Sequence, residues 1–147
     1  MKTIFDKDTY QNLRARLESL TPESPRQWGK MTADQMLAHC NIPIEQAIGK
    51  VEGINRSNLL SRTLIRWVVL RDKPFGKNLP TVPDFVIADA RDFAREKARL
   101  LQNLDDFYNK GENGNWSMHP AFGKMTPAQW SWLTYKHLDH HLSQFSA

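Results

Sequence analysis

Thr126-Pro127-Ala128-Gln129-Trp130-Ser131-Trp132-Leu133-Thr134-Tyr135-Lys136-His137-Leu138-Asp139-His140-His141-Leu142-Ser143-Gln144-Phe145 carries the pattern of one long helix. Thr126 followed three residues later by Gln129 is a capping box, in which each side chain satisfies a backbone amide left unpaired at a helix start. Pro127 stands at the first helical position, where a missing amide costs nothing. On a helical wheel His137 and His141 share a face with Trp130, Leu133, Gln144 and Phe145, whereas Lys136, Asp139 and Ser143 point away. Three of the chain's five histidines lie between positions 137 and 141. Side chains four apart on a helix are about 6 Å apart at Cβ, so His137 and His141 can aim two imidazoles at one metal ion. His140 sits roughly 60° around the helix from His137 and falls at the rim of that face.

The same lead-in occurs earlier in the chain. Gly29-Lys30-Met31-Thr32-Ala33-Asp34-Gln35 matches Gly123-Lys124-Met125-Thr126-Pro127-Ala128-Gln129, with Trp28 or Phe122 just before. Shared helix-initiation chemistry accounts for the match, and a duplicated half is the alternative. The first copy predicts a helix over 32–49 with Met36, Cys40, Ile44 and Ala47 as its apolar stripe and His39 at the edge, beside Gln35, Pro43 and Gln46. Pro43 removes the amide that would bond the His39 carbonyl and predicts a bend. His39 on one helix and His137 with His141 on another make a candidate His₃ metal site. The alternative is three hydrogen-bonded core or rim histidines, since a buried imidazole can be satisfied by a carbonyl or side chain as well as by a metal.

Elsewhere the periodicity is also helical. Tyr10, Leu13, Leu17 and Leu20 predict a helix over 7–20, stopped by Thr21-Pro22-Glu23-Ser24-Pro25. Ala90, Phe93, Leu100, Leu104 and Phe107 predict another over 84–108. Residues 50–83 read as a long connection with a short helix near 58–70, whose Leu59, Leu60, Leu64, Trp67 and Val68 are expected to pack inward; Pro74, Gly76, Pro80 and Pro83 break the rest. The loop from Gly111 to Phe122, with Trp116, Met118 and His119, leads into the histidine helix and is expected to cover or line the site. The result is an all-α fold in one domain, 1–147. Four principal helices, 7–20, 32–49, 84–108 and 126–145, pack as a bundle around Leu13, Leu17, Met36, Ile44, Phe93, Leu100, Leu104, Leu133 and Leu138.

Composition narrows the function classes. The 147 residues are 40% hydrophobic and 24% charged, an ordinary globular balance that buries a core without a structural metal, so an ion here would serve function. The apolar run Leu64–Leu70 is short and contains Arg66, which excludes a spanning helix, and no apolar leader follows Met1. The lone Cys40 reads as a small buried hydrophobe and fits a reducing cytoplasm. Seven basic residues between Lys50 and Lys77 face only Glu52 and Asp72, so the basicity of a chain with net charge +4 is local. That segment reads either as a solvated helix face or as a footprint for an anionic ligand, membrane surface or nucleic acid, and no nucleic-acid motif accompanies it. A nucleophile elbow, a phosphate-binding loop and a His-Glu-x-x-His motif are all absent from the sequence.

Trp28-Gly29-Lys30-Met31-Thr32 through Met36-Leu37-Ala38-His39-Cys40, then His119-Pro120-Ala121-Phe122-Gly123 and the closing His-x-x-His-His-x-x-Gln pattern of residues 137–144, resemble the DUF1569 family of the DinB/YfiT-like superfamily. The resemblance spans nearly the whole chain. It implies a DinB-like four-helix bundle with a long crossover between helices two and three. It also implies a divalent metal, zinc or nickel being the candidates, held by His39, His137 and His141. The superfamily includes thiol S-transferases and metal-dependent hydrolases, which implies a small-molecule substrate, a thiol among the candidates, and leaves a homodimer open. The competing reading is a non-catalytic binding or stress-response module with structural histidines.

Overall fold

Helix α1 (Lys7–Ser19) starts where the Asp6 carboxylate accepts the amide and the hydroxyl of Thr9, both at 2.9 Å. Helix α2 (Ala33–Ile48) starts where the Thr32 amide donates to Gln35 Oε1 at 3.0 Å, and it stops at Gly49, whose φ of +85° favours glycine. A π-helical turn, Ser61–Ile65, runs into the short α3 (Arg66–Leu70). Asp92 caps α4 (Phe93–Lys110) by accepting from Arg95 N. Thr126 and Gln129 cap α5 (Pro127–Gln144) reciprocally. The computed structural model describes residues 1–79, 81 and 83–147, and the described residues contain these helices, a 3₁₀ turn at Pro83–Phe85 and no strand. Pro80, expected to break structure in the connection, lies outside the described residues.

The four long helices form a ring in which α1 and α2 each lie against both α4 and α5, and α3 lies against α5. Leu13 and Leu17, Met36 and Ile44, Leu100 and Leu104, and Leu138 meet at its centre, fully buried, while the expected core residues Phe93 and Leu133 are only partly buried. A polar network also ties α2 to α4. Asn41 donates to the carbonyl and carboxylate of Glu96, Asn103 donates to Asn41 and Glu45, and Arg99 grips Glu45 with two bonds of 2.6 Å. Burial pushes the Glu45 carboxyl up, but Arg99 and Asn103 outweigh it and hold the group below the usual carboxylate range. Nothing in the sequence periodicity announced this cluster.

Two expectations fail in instructive ways. The helix predicted from 84 begins instead at Phe93, and the segment before it is tied to α2: His39 Nδ1 donates to Phe85 O, and Gln35 Nε2 donates to the carbonyls of Ala88 and Asp89. These bonds hold residues 85, 88 and 89 against α2 on a non-helical path, and Asp92 then caps the helix. In the crossover, Leu59, Leu60, Leu64, Trp67 and Val68 do not pack inward but are exposed. The π turn holds an extra residue per turn and shifts the phase of the wheel. Ser61, bonded to Ala121 O, and then Val69 and Leu70 face the protein in place of the predicted residues.

Candidate metal centre

His39 lies in the second turn of α2, and His137 and His141 lie one turn apart near the end of α5. The three imidazoles converge, each offering a nitrogen such that all three atoms lie within 4.8 Å of one another. His39 Nε2 and His137 Nε2 are 3.0 Å apart. Two nitrogens bonded tetrahedrally to one ion at about 2.0–2.1 Å stand about 3.3 Å apart, so this edge is already close to that of a metal site. Three neighbouring imidazoles of this kind can hold a metal ion.

The surroundings fix which nitrogens face the centre. His39 Nδ1–H donates to Phe85 O at 2.8 Å, leaving Nε2 as the lone-pair atom toward His137. His141 Nδ1–H donates to Gln144 Oε1 at 3.0 Å, which leaves its Nε2 free as well. Gln144 is itself held, its Nε2 donating to Trp28 O at 2.7 Å and its carbonyl accepting from Gln27 N at 2.8 Å. Gly29 makes that approach feasible: its φ is +81°, and a Cβ there would stand 2.3 Å from Gln144 Nε2. Outer contacts of this type orient histidine ligands and raise their basicity at metal sites. The glycine of the repeated Gly-Lys-Met-Thr lead-in thus supports the centre indirectly. In the second copy Gly123, at φ +69°, faces the Arg62 side chain instead.

Electrostatics favours neutral imidazoles. Burial lowers the His39, His137 and His141 pKa values below the usual 6.5. His137 falls well below it, with His141 and His39 adding to the effect of burial, and His141 falls to about 3. At neutral pH the three rings are therefore uncharged, with His39 and His141 offering Nε2 lone pairs and His137 Nε2–H donating to His39 Nε2. His140 is also lowered, chiefly by burial, and it lies edge-on to Trp28, Phe75 and His141 at the rim, as its wheel position implied.

The triad opens into a cavity of about 930 Å³, within the range of small-molecule sites. Its walls are mostly apolar, with Met31, Phe75, Leu79, Phe85, Val86 and Ile87 opposite the histidines; no aspartate or glutamate lines it among the described residues, and Lys30 supplies the cation. The loop 111–122, expected here, is elsewhere. Ser117 N donates to Ala47 O at the far end of α2, Ser117 O accepts from Trp130 Nε1 in the first turn of α5, and Trp116 packs on Phe107. His119 is no lid: its Nδ1 accepts the amides of Ala121 and Phe122, and burial lowers its pKa to about 4. Residues from Phe75 to Leu79 and from Phe85 to Ala88 line the site instead, with Phe85, Ala88 and the neighbouring Asp89 bonded to α2.

Two further residues depart from the wheel reading or agree with it. Lys136 was expected to point away, yet it is buried, its Nζ donating to Val69 O and Arg71 O at the end of α3 and standing 4.3 Å from the Phe75 ring centre. A cation at the carbonyl end of a helix is stabilised there. Cys40 is buried, contacts Met36 Sδ, and burial raises its thiol far above the usual range, as befits a small hydrophobe.

The description "Protein of unknown function (DUF1569)" matches residues 5–147. The chain belongs to the DUF1569 family. No curated protein and no solved structure matches it. Membership in DUF1569 names a lineage and leaves the chemistry to be argued from the centre itself.

Proposed function

We propose that this DUF1569 protein is a single-domain, DinB-like four-helix bundle with a long crossover, and that His39, His137 and His141 bind a divalent metal, zinc or nickel, to activate a thiol or water against a small-molecule substrate. The observation that carries this reading is the convergence of three neutral imidazoles, two of them oriented by Phe85 O and Gln144 Oε1, at the base of a ligand-sized cavity. Bound at three protein ligands with an open position, the ion would supply Lewis acidity that brings the pKa of a thiol or water toward neutrality.

The chain's own contribution favours a thiol. No carboxylate is among the described lining residues, so His140 is the histidine outside the ligand set that lines the cavity and could take a proton. A free thiol ionises near pH 8.5, whereas bulk water does so near about 15.7, so a thiol needs far less help. The apolar wall formed by Phe75, Leu79, Phe85 and Val86 excludes water and suits an apolar electrophile. The same reading takes the cytoplasm as the site of action.

The test is metal analysis of protein prepared without a histidine tag, followed by zinc and nickel titration of the parent and of His39→Ala. Stoichiometric binding in the parent and at least a hundredfold weaker binding in the variant, with helical circular dichroism intact, is the expected result. Equal binding by both proteins refutes the ligand set. Metal-dependent thiol transfer to an apolar electrophile then separates an enzyme from a binding module.

A further inference from the structure

The crossover helix leaves an apolar surface uncovered. Leu59 is 81% exposed, Trp67 62%, Leu60 56% and Leu64 55%, with Ile65 and Val68 exposed beside them. Monomeric proteins rarely leave so many large apolar side chains contiguous in solvent without a partner. Consecutive pairs, Leu59 with Leu60, Leu64 with Ile65, and Trp67 with Val68, are all exposed, so the helix stands proud of the protein and shows apolar groups around more than one face.

The charge around this ridge has one sign. From Gly53 to Arg71 the chain contains Arg56, Arg62, Arg66 and Arg71 and no acid. Asp84 neutralises Arg56. The other three arginines have only neutral partners: Arg62 bonds Ser57 Oγ, Arg66 bonds Lys124 O and Gln129 Oε1, and the Arg71 guanidinium lies over the Trp67 ring at 5.2 Å. A second copy would bring like charges together and would cover one side of a ridge that is apolar on several.

We propose that the helix 59–70 docks this protein on an anionic lipid surface. Leu59, Leu60, Leu64 and Trp67 enter the boundary between headgroups and acyl chains, and Arg62 and Arg71 meet the lipid phosphates, while Arg66 is held to the protein by Lys124 O and Gln129 Oε1. Trp beside Arg is the pairing expected at that depth. Docking is peripheral, since no helix among the described residues is long and apolar enough to cross a membrane. Val69, the residue after the ridge, lines the cavity that holds the triad, so docking brings that cavity close to the lipid.

The experiment is co-sedimentation of the full chain with vesicles of phosphatidylcholine alone and of phosphatidylcholine mixed with phosphatidylglycerol, with light scattering to follow the oligomeric state. Binding to the anionic vesicles, weak binding to the neutral ones and weakening by salt are expected. Leu64→Asp with Trp67→Glu should lower partitioning at least tenfold, and Arg62→Glu should lower it at least fivefold. All three positions are exposed, so circular dichroism and metal titration should match the parent. Failure to bind either vesicle, equal binding to both, or a dimer that Leu64→Asp dissociates overturns the proposal. His39→Ala should bind vesicles like the parent, which separates this outcome from the fate of the metal reading.

Discussion

Gly29→Ala tests whether the centre is held from outside its three histidines. The added methyl would stand 2.3 Å from Gln144 Nε2 on a residue at φ +81°. The backbone conformation alone costs an L-residue about 1–2 kcal/mol. Relieving the clash means moving Gln144, which gives up its bond to Trp28 O, about 1 kcal/mol more. The total is about 2–3 kcal/mol, and in a chain of 147 residues each kcal/mol is worth roughly 3 °C in Tm. A fall of about 6–9 °C is expected by calorimetry. Displacing Gln144 also frees His141 Nδ1, and loss of such an outer contact typically weakens metal binding about 10–100-fold.

The decisive measurement is a double-mutant cycle with Gln144→Ala. With Gln144 truncated the clash disappears, so Gly29→Ala should then cost only its backbone term and reduce zinc affinity no further. The expected coupling is about 1 kcal/mol in stability, and the affinity losses should be non-additive. Additive effects in both quantities would refute the chain of contacts from Gly29 through Gln144 to His141.

Acid should destabilise the protein before its carboxylates titrate. Burial holds the folded His119 pKa at about 4 against an ordinary 6.5, so its contribution is complete above pH 6.5 and is lost as pH falls toward 4. Between pH 6.5 and 5 this histidine alone removes about 2 kcal/mol, and urea midpoints of His119→Gln should flatten over that window; an unchanged slope contradicts the assignment. Glu45 acts lower, its depressed carboxyl keeping its contribution above the ordinary carboxylate range and losing it as pH drops through the folded value. Arg99→Met leaves that buried carboxylate with weaker partners and should cost about 2–3 kcal/mol in urea unfolding, less than a fully buried pair because Arg99 is half exposed. Adding Glu45→Gln should recover part of the loss, and no recovery would mean that Arg99 acts through packing.

The elements that were readable are those whose cause is local. Thr126 with Gln129 and Thr32 with Gln35 form their boxes from residues three apart, and both helices start where those residues stand. Leu13, Leu17, Leu100 and Leu104 repeat at helical spacing because one face of each helix is buried. The start of α4 was misplaced because what holds the preceding segment is distant: Gln35 and His39 bond the carbonyls of Phe85, Ala88 and Asp89 from about fifty positions away. The crossover misled for a different reason. A wheel assumes a constant turn, and the π turn at Ser61–Ile65 breaks that assumption in the middle of the apolar stripe.

The candidate site divides along the same line. His137 and His141 adjoin because of helix geometry, and His39 was paired with them from its place at the edge of another helix's apolar stripe, a pairing the family resemblance also implied. What closes the site was assigned to the wrong segment. Loop 111–122 comes just before α5, but α5 starts at Pro127, so its start lies about 21 Å along the axis from the second ligand, His141. A loop adjacent in sequence to a ligand-bearing helix covers the ligands only when they occupy the first turn. Here they occupy the last turns, and the cover comes from Phe75 to Leu79 and Phe85 to Ala88, where the Phe85 carbonyl also sets the His39 tautomer. Cover and ligand orientation are therefore one device, and a substitution that loosens residues 83–88 should alter metal affinity as well as access to the cavity.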